Sequence, residues 1–289
     1  MKQQLIRFDW ALKRLLRNKA NFDILEGFLT ELLKEEIKIN QILESETNKS
    51  DLQDKFNRVD ILVENSKKEL LIIEIQNDTE FDYLQRLIYG TSKVIIENMY
   101  KGMSYSEIKK VISISIVYFD LGQGNDYVYL GQTNFVGLHH KDILQLSEAQ
   151  TKLYGEKRVY QLFPEYYLIK VNQFDEIAKD SLDEWIYFLK KEEIKPEFKA
   201  RGIQKAKQEF DIMKLSEDER KLYQKYLEEL NYQASMYEST YKLGKIEATI
   251  EAIRKLLLLE ILSIEQIAAT FGVTTEYVQK IKNQLENKT

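Results

Sequence analysis

The sequence predicts an α/β fold in the order helix, three strands, helix, strand, followed by a mostly helical C-terminal region, and three observations carry that prediction. Residues 58–76, RVDILVENSKKELLIIEIQ, alternate and turn in the manner of a buried β-hairpin. Residues 111–119, VISISIVYF, form a short β-branched apolar run, as an interior strand does. From Ser181 onward the pattern is almost entirely helical.

The elements follow in order. NFDILEGFLTELLKEE, residues 21–36, sets Phe22, Leu25, Phe28, Leu29, Leu32 and Leu33 on one stripe at helical spacing. IKINQILESE reads as a strand near 38–47, and the hairpin supplies two more, near 59–64 and 70–76. TEFDYLQRLIYGTSKVIIENMYKG returns to a helix, with Phe81, Leu84, Ile88, Thr91, Ile95 and Met99 expected to face inward. The fourth strand is 111–119, and residues 121–173 read as irregular β structure. The charged helical run Leu215–Glu260 contains Tyr223, Tyr226, Leu230, Met236 and Tyr237 but no evident core, so self-association through the C-terminal helices, or an arm, is expected there. The expected organisation is a domain over 1–190, a charged helical linker or arm over 191–260, and a bihelical unit over 261–289.

Composition narrows the chemistry. The 289 residues include no cysteine, which removes disulfides and thiolate zinc sites and suits a reducing cytoplasm. His139 and His140 are the only histidines, so carboxylates are the natural metal ligands. No apolar run reaches the length of a membrane span, and the N-terminus is charged where a signal peptide needs an apolar stretch, which predicts a soluble, unexported, cytoplasmic protein. The net charge of −5 conceals two basic segments, one over residues 1–20 and one at Lys199, Arg201, Lys205 and Lys207. As charge runs these read first as solvated helix faces. No phosphate-binding glycine loop is present, and no serine elbow accompanies the histidine pair, so ATP-driven and serine-hydrolase chemistry are not expected.

Within the hairpin, a turn centred on Lys67 sets Asp60 opposite Glu74, Leu62 opposite Ile72 and Arg58 opposite Gln76. One face then carries Ile61, Val63, Leu71, Ile73 and Ile75. The other is apolar at its turn end and polar at its far end, where two carboxylates oppose each other. Like charges in directly opposed positions destabilise a sheet. A divalent cation removes the conflict, because magnesium sites use one or two protein carboxylates and complete their shell with water and phosphate. The competing reading pairs the acids with Arg58 and another base at a sheet edge.

Asp60 and the Glu-Ile-Gln of 74–76, in this order of elements, resemble the restriction-endonuclease-like PD-(D/E)XK core. The segments FDWALKRLL, KFNRVDILV, LLIIEIQND, YLQRLIYG and VISISIVYFD resemble its Rpn family of recombination-promoting nucleases or putative transposases, over roughly residues 5–190. The resemblance implies a metal-dependent DNA endonuclease that hydrolyses phosphodiesters, with Mg²⁺ or another divalent cation such as Mn²⁺ held by Asp60 and Glu74. DNA, double-stranded, is the implied partner. The position usually held by lysine is Gln76, implied to orient the attacking water, since an amide serves neither as a base nor as a charged stabiliser. Asp9, in the FDWALK segment, is the implied further acid, with Glu26 as the alternative. Arg86, Tyr89 and Lys93, on one face of the second helix, and Arg58 are the candidate DNA contacts. The alternative function is a catalytically inactive, transposon-derived DNA-binding or helical interaction protein.

The C-terminal SIEQIAATFGVTTEYVQKIKNQL has the spacing of a helix-turn-helix, with Ala268 where two helices meet, Gly272-Val273 at the turn, and Val278 and Ile281 as inner contacts. In a DNA-binding unit, Thr274–Gln284 enters the major groove. Its basic residues there are Lys280 and Lys282, against Glu276.

Overall fold

The computed structural model describes residues 5–8, 10–11, 21–43, 58–156, 158–212 and 215–286, with only the backbone described at 58–60 and 286. Six strands form one sheet: β1 (Ile39–Leu43), β2 (Arg58–Asn65), β3 (Leu70–Gln76), β4 (Val111–Val117), β5 (Val128–Gly131) and β6 (Glu165–Lys170). Their spatial order is β1-β2-β3-β4-β6-β5. The β3–β4 and β4–β6 pairs are parallel and the rest antiparallel. This is the α/β fold the sequence predicts, with the expected order of helix, three strands, helix, strand. The eight described helices are α1 (Phe22–Leu33), α2 (Tyr83–Glu97), α3 (Glu148–Tyr154), α4 (Ser181–Lys191), α5 (Ile203–Glu209), α6 (Glu217–Leu259), α7 (Ile264–Phe271) and α8 (Thr275–Glu286).

The hairpin register is set by chemistry at its turn. Asn65 is buried, and its Oδ1 accepts from the backbone N–H of Lys67 at 3.0 Å and of Glu69 at 2.9 Å, while Lys68 takes the left-handed region at φ 63°. With the turn fixed, Asp60 lies opposite Glu74, Leu62 opposite Ile72 and Arg58 opposite Gln76, as expected. A slip of one residue would send the apolar set of each strand to the wrong face.

Strands β3 and β4 are buried along their length, because helices cover both faces. On the face shared by Leu62, Leu70 and Val111, Val94 of α2 packs, and further along Tyr83 and Leu87 meet Val117 and Phe119. The inward residues of α2 are therefore Tyr83, Leu87, Thr91 and Val94. The expected stripe is corrected: Phe81 is fully exposed, and Leu84 and Ile88 face outward. Phe81 lies in the turn before the helix, so it never shares the helical phase.

The other side is held by α1 and α4. Glu26 of α1 bonds the β1 backbone at Ile39 (2.9 Å), and the Tyr118 hydroxyl donates to the Leu189 carbonyl of α4 at 3.0 Å. Phe8, Phe28, Trp185, Phe188 and Phe210 meet edge to face or stacked in one aromatic cluster. Burial continues past residue 190 through Ile194, Phe198, Ala200, Ile203 and Phe210. Gly27 is needed here, since a Cβ would come within 2.2 Å of the Arg201 carbonyl oxygen. Two of the basic residues in this segment pair with acids: Lys205 with Asp23 at 2.7 Å and Arg201 with Glu36 at 3.1 Å.

The chain divides into compact units Met1–Arg220 and Lys221–Thr289. In the second, Ile253, Ile267, Ala268, Val278 and Ile281 form a small core. Gly272, left-handed at φ 62°, ends α7 where its N–H bonds back to Ala268 and Ala269. The turn and inner contacts fall at the positions that the helix-turn-helix spacing picks out. Among the described residues no helix is long and apolar enough to cross a membrane.

Candidate active site

The far end of the hairpin brings polar groups onto an otherwise apolar face. Glu74 and Gln76 close β3 on the same side as Leu70 and Ile72, and both are buried, at 7% and 2% exposure. A buried carboxylate needs a counter-charge. The first turn of α2 supplies one. Arg86 donates through Nη2 to Glu74 Oε1, and through Nη1 to both carboxylate oxygens of Glu80 at 2.8 Å. Its guanidinium lies over the Tyr83 ring, 5.6 Å from the centroid.

Gln76 completes the group. Its Nε2 donates to Glu80 Oε1 at 3.1 Å and to the Asp78 carbonyl at 3.3 Å. The amide oxygen is thereby turned toward the cation, 3.5 Å from Arg86 Nη1. Gln76 thus presents an acceptor to positive charge, where water orientation by the amide nitrogen would need that nitrogen unengaged. Nearby, Arg7 bonds Asn77 Oδ1 at 3.2 Å, so the N-terminal segment reaches the loop that follows β3.

The sequence-derived candidates separate in space. Asp60 faces Glu74 in the strand register, and Arg58 faces Gln76. The side chains of both, and all of Asp9, lie outside the described residues. Glu26, the alternative acid, is a brace for β1: it accepts from Lys38 Nζ at 2.8 Å and from the Ile39 backbone. Of the candidate DNA contacts on this helix, Arg86 turns to the carboxylates, Tyr89 is 69% exposed, and Lys93 pairs with Glu97 at 3.5 Å.

Two participants escaped sequence reasoning. Glu80 sits in the loop between β3 and α2, where no periodicity marks it. Ser115 is in register with Glu74 across the parallel β3–β4 ladder, is wholly buried, and its Oγ has no hydrogen-bond partner. The alternation of serine and isoleucine in VISISIV was its available signal.

Among the described residues no cluster of three or more His, Cys, Asp or Glu is close enough to hold a metal ion. The groups present do fit a hard cation: a carboxylate oxygen of Glu74, the amide oxygen of Gln76, and an unpartnered buried hydroxyl on the next strand, with Asp60 opposite in register. A cation already sits among them in the form of the Arg86 guanidinium.

A family model described as "PD-(D/E)XK nuclease family transposase" matches residues 6–240. No curated protein and no solved structure matches the chain.

Proposed function

Because the chain belongs to the PD-(D/E)XK nuclease family of transposases, we propose that it hydrolyses DNA phosphodiester bonds at the far end of the β2–β3 hairpin, with a divalent cation, Mg²⁺ or Mn²⁺, held by Asp60 and Glu74. The observation that carries the reading is the opposition of those two residues in the strand register. Bound there, the cation supplies an acidified water and neutralises charge on the attacked phosphate.

This chain's residues do the rest. Asp60 and Glu74 fix the site at the end of a rigid sheet. Gln76, its amide oriented by Glu80, directs an oxygen to the same point. Ser115, in register with Glu74 on the neighbouring strand, adds a buried hydroxyl. The helix-turn-helix unit supplies a DNA contact through α8, whose Gln279, Lys280 and Asn283 are exposed, and self-association engages the exposed Tyr237 and Tyr241 of α6.

One observation favours the alternative of a non-catalytic DNA-binding protein: Glu74 is already ion-paired with Arg86. Plasmid cleavage with and without Mg²⁺, beside Asp60→Asn and Glu74→Gln controls, separates the two. Nicking or linearisation that requires the metal and both acids is expected. Cleavage that survives both substitutions, or none under any metal, would sink the nuclease reading.

A further inference from the structure

We infer that Arg86 is a built-in counter-cation of the metal site, which occupies Glu74 in the metal-free protein and must give it up when a divalent ion binds. The inference rests on the nuclease reading for the identity of the ion. It goes beyond that reading by assigning Arg86 a competing role.

The geometry makes the competition specific. Arg86 meets Glu74 through Nη2, and Glu80 through Nη1 on both oxygens at 2.8 Å. Magnesium coordinates at about 2.0 to 2.1 Å, so an ion that takes Glu74 Oε1 contests the oxygen that Arg86 Nη2 holds. The attachment to Glu74 is the one placed in competition. Glu80 lies in the loop before α2 and is itself braced by Gln76 Nε2 at 3.1 Å, so Arg86 stays anchored when Glu74 is taken. Nη2 then faces the same point as the metal, with the N–H that held Glu74 released.

A phosphate oxygen is the group that fits such a released guanidinium edge. Arg86 would thus exchange a carboxylate for a phosphodiester at the moment the ion arrives. By linkage, each of the two, ion and phosphate, makes the other bind more tightly. In the absence of DNA the ion meets an occupied carboxylate, and its affinity is held down.

The test reads metal binding directly, without cleavage. Mn²⁺ is titrated calorimetrically into the full-length protein without DNA, and thermal melts are run in EDTA and in Mn²⁺. For Arg86→Gln, melting in EDTA should fall, since Glu74 loses its counter-charge, while the apparent dissociation constant for Mn²⁺ should drop at least about tenfold. The Mn²⁺-induced rise in melting temperature should also exceed that of the wild type. Arg86→Lys, which keeps the charge but loses the fork and safeguards the test if the glutamine variant fails to fold, should lie between. A merely structural arginine would lower stability without tightening Mn²⁺ binding. Unchanged or weaker Mn²⁺ affinity in the variants that fold overturns the inference and leaves the nuclease reading intact if wild-type plasmid cleavage is metal-dependent. Tighter binding in the variants, with no cleavage by the wild type, keeps the inference and removes the nuclease reading. No Mn²⁺ binding by any of the proteins overturns the inference, and absent cleavage alongside it removes both.

Discussion

The two ends of the β2–β3 hairpin both bury acids, and they neutralise them in different ways. At the turn end each acid has its own lysine: Glu64 pairs with Lys109, and Glu165, at the start of the nearby β6, pairs with Lys110 at 3.1 Å. Both lysines, just before β4, are partly exposed. At the far end, Glu74 and Glu80 share the single guanidinium of Arg86, and Asp60 is set opposite Glu74 by the register. One end is balanced pair by pair. The other sets two carboxylates on the same guanidinium, which is the contrast expected if the proposed ion binds there.

The comparison breaks first at the chemistry. Asp60→Asn or Glu74→Gln should abolish metal-dependent plasmid cleavage, the largest effect expected. In EDTA, Glu74→Gln should also lower stability, by roughly 1.5 to 3 kcal/mol for a lost charge-assisted bond to Arg86, as read from denaturant melts. Unaltered cleavage in both variants would put the site elsewhere.

Truncation comes next. A fragment ending at residue 190 lacks the buried Ile194, Phe198, Ile203 and Phe210, and should not give a cooperative melt. One ending near residue 220 should fold, and limited proteolysis of the full chain should accumulate it. A stable fragment ending at 190 would show that these residues are dispensable.

At the balanced end, Glu64→Gln and Glu165→Gln should each cost about 1 to 3 kcal/mol and leave both Mn²⁺ binding and cleavage as in the wild type. Loss of metal response in either would erase the contrast between the two ends.

The smallest effect is at Tyr127, whose hydroxyl donates to Asp183 at 2.7 Å. Burial first, then Asp183, raises its pKa above the ordinary tyrosine value. Its folded-state pKa therefore exceeds the unfolded one. The stability this gives is complete below about pH 10 and is lost as pH rises above that value. Tyr127→Phe should cost about 0.5 to 1.5 kcal/mol at neutral pH, and the gap from wild type should close in melts run above about pH 10. Tyr167, pushed up to about 12 by burial and Glu165, titrates with the same sign in both proteins and cancels in the comparison. A gap that widens with pH would refute the assignment.

Much of this was legible in the sequence, and the failures have a common cause. The hairpin register could be read because strand alternation has period two and Asn65 fixes the turn, both local facts. The phase of α2 could not. Its sequence carries apolar residues on more than one side, and what chooses between them is the reach of Arg86 to Glu74 and Glu80, a pairing across elements. Burying that contact brings Tyr83 and Leu87 inward and turns Leu84 and Ile88 out. The same non-local pairing hid Glu80 and the reach of Arg86 to both carboxylates. Glu26 shows the converse, since a sequence gives an acid on a helix but not the Ile39 N–H that it accepts from.

The close approach at Gly27 has a consequence for synthesis. The Arg201 backbone fits against α1 where a side chain would collide, and its N–H reaches Glu31, 170 positions earlier in the chain. On a ribosome adding about 5 to 20 residues per second, α1 therefore waits roughly 10 to 30 s for the segment that covers it. During that interval the apolar side of the first helix is open to chaperones and to other nascent chains, so the yield of folded protein should depend on translation speed late in the message.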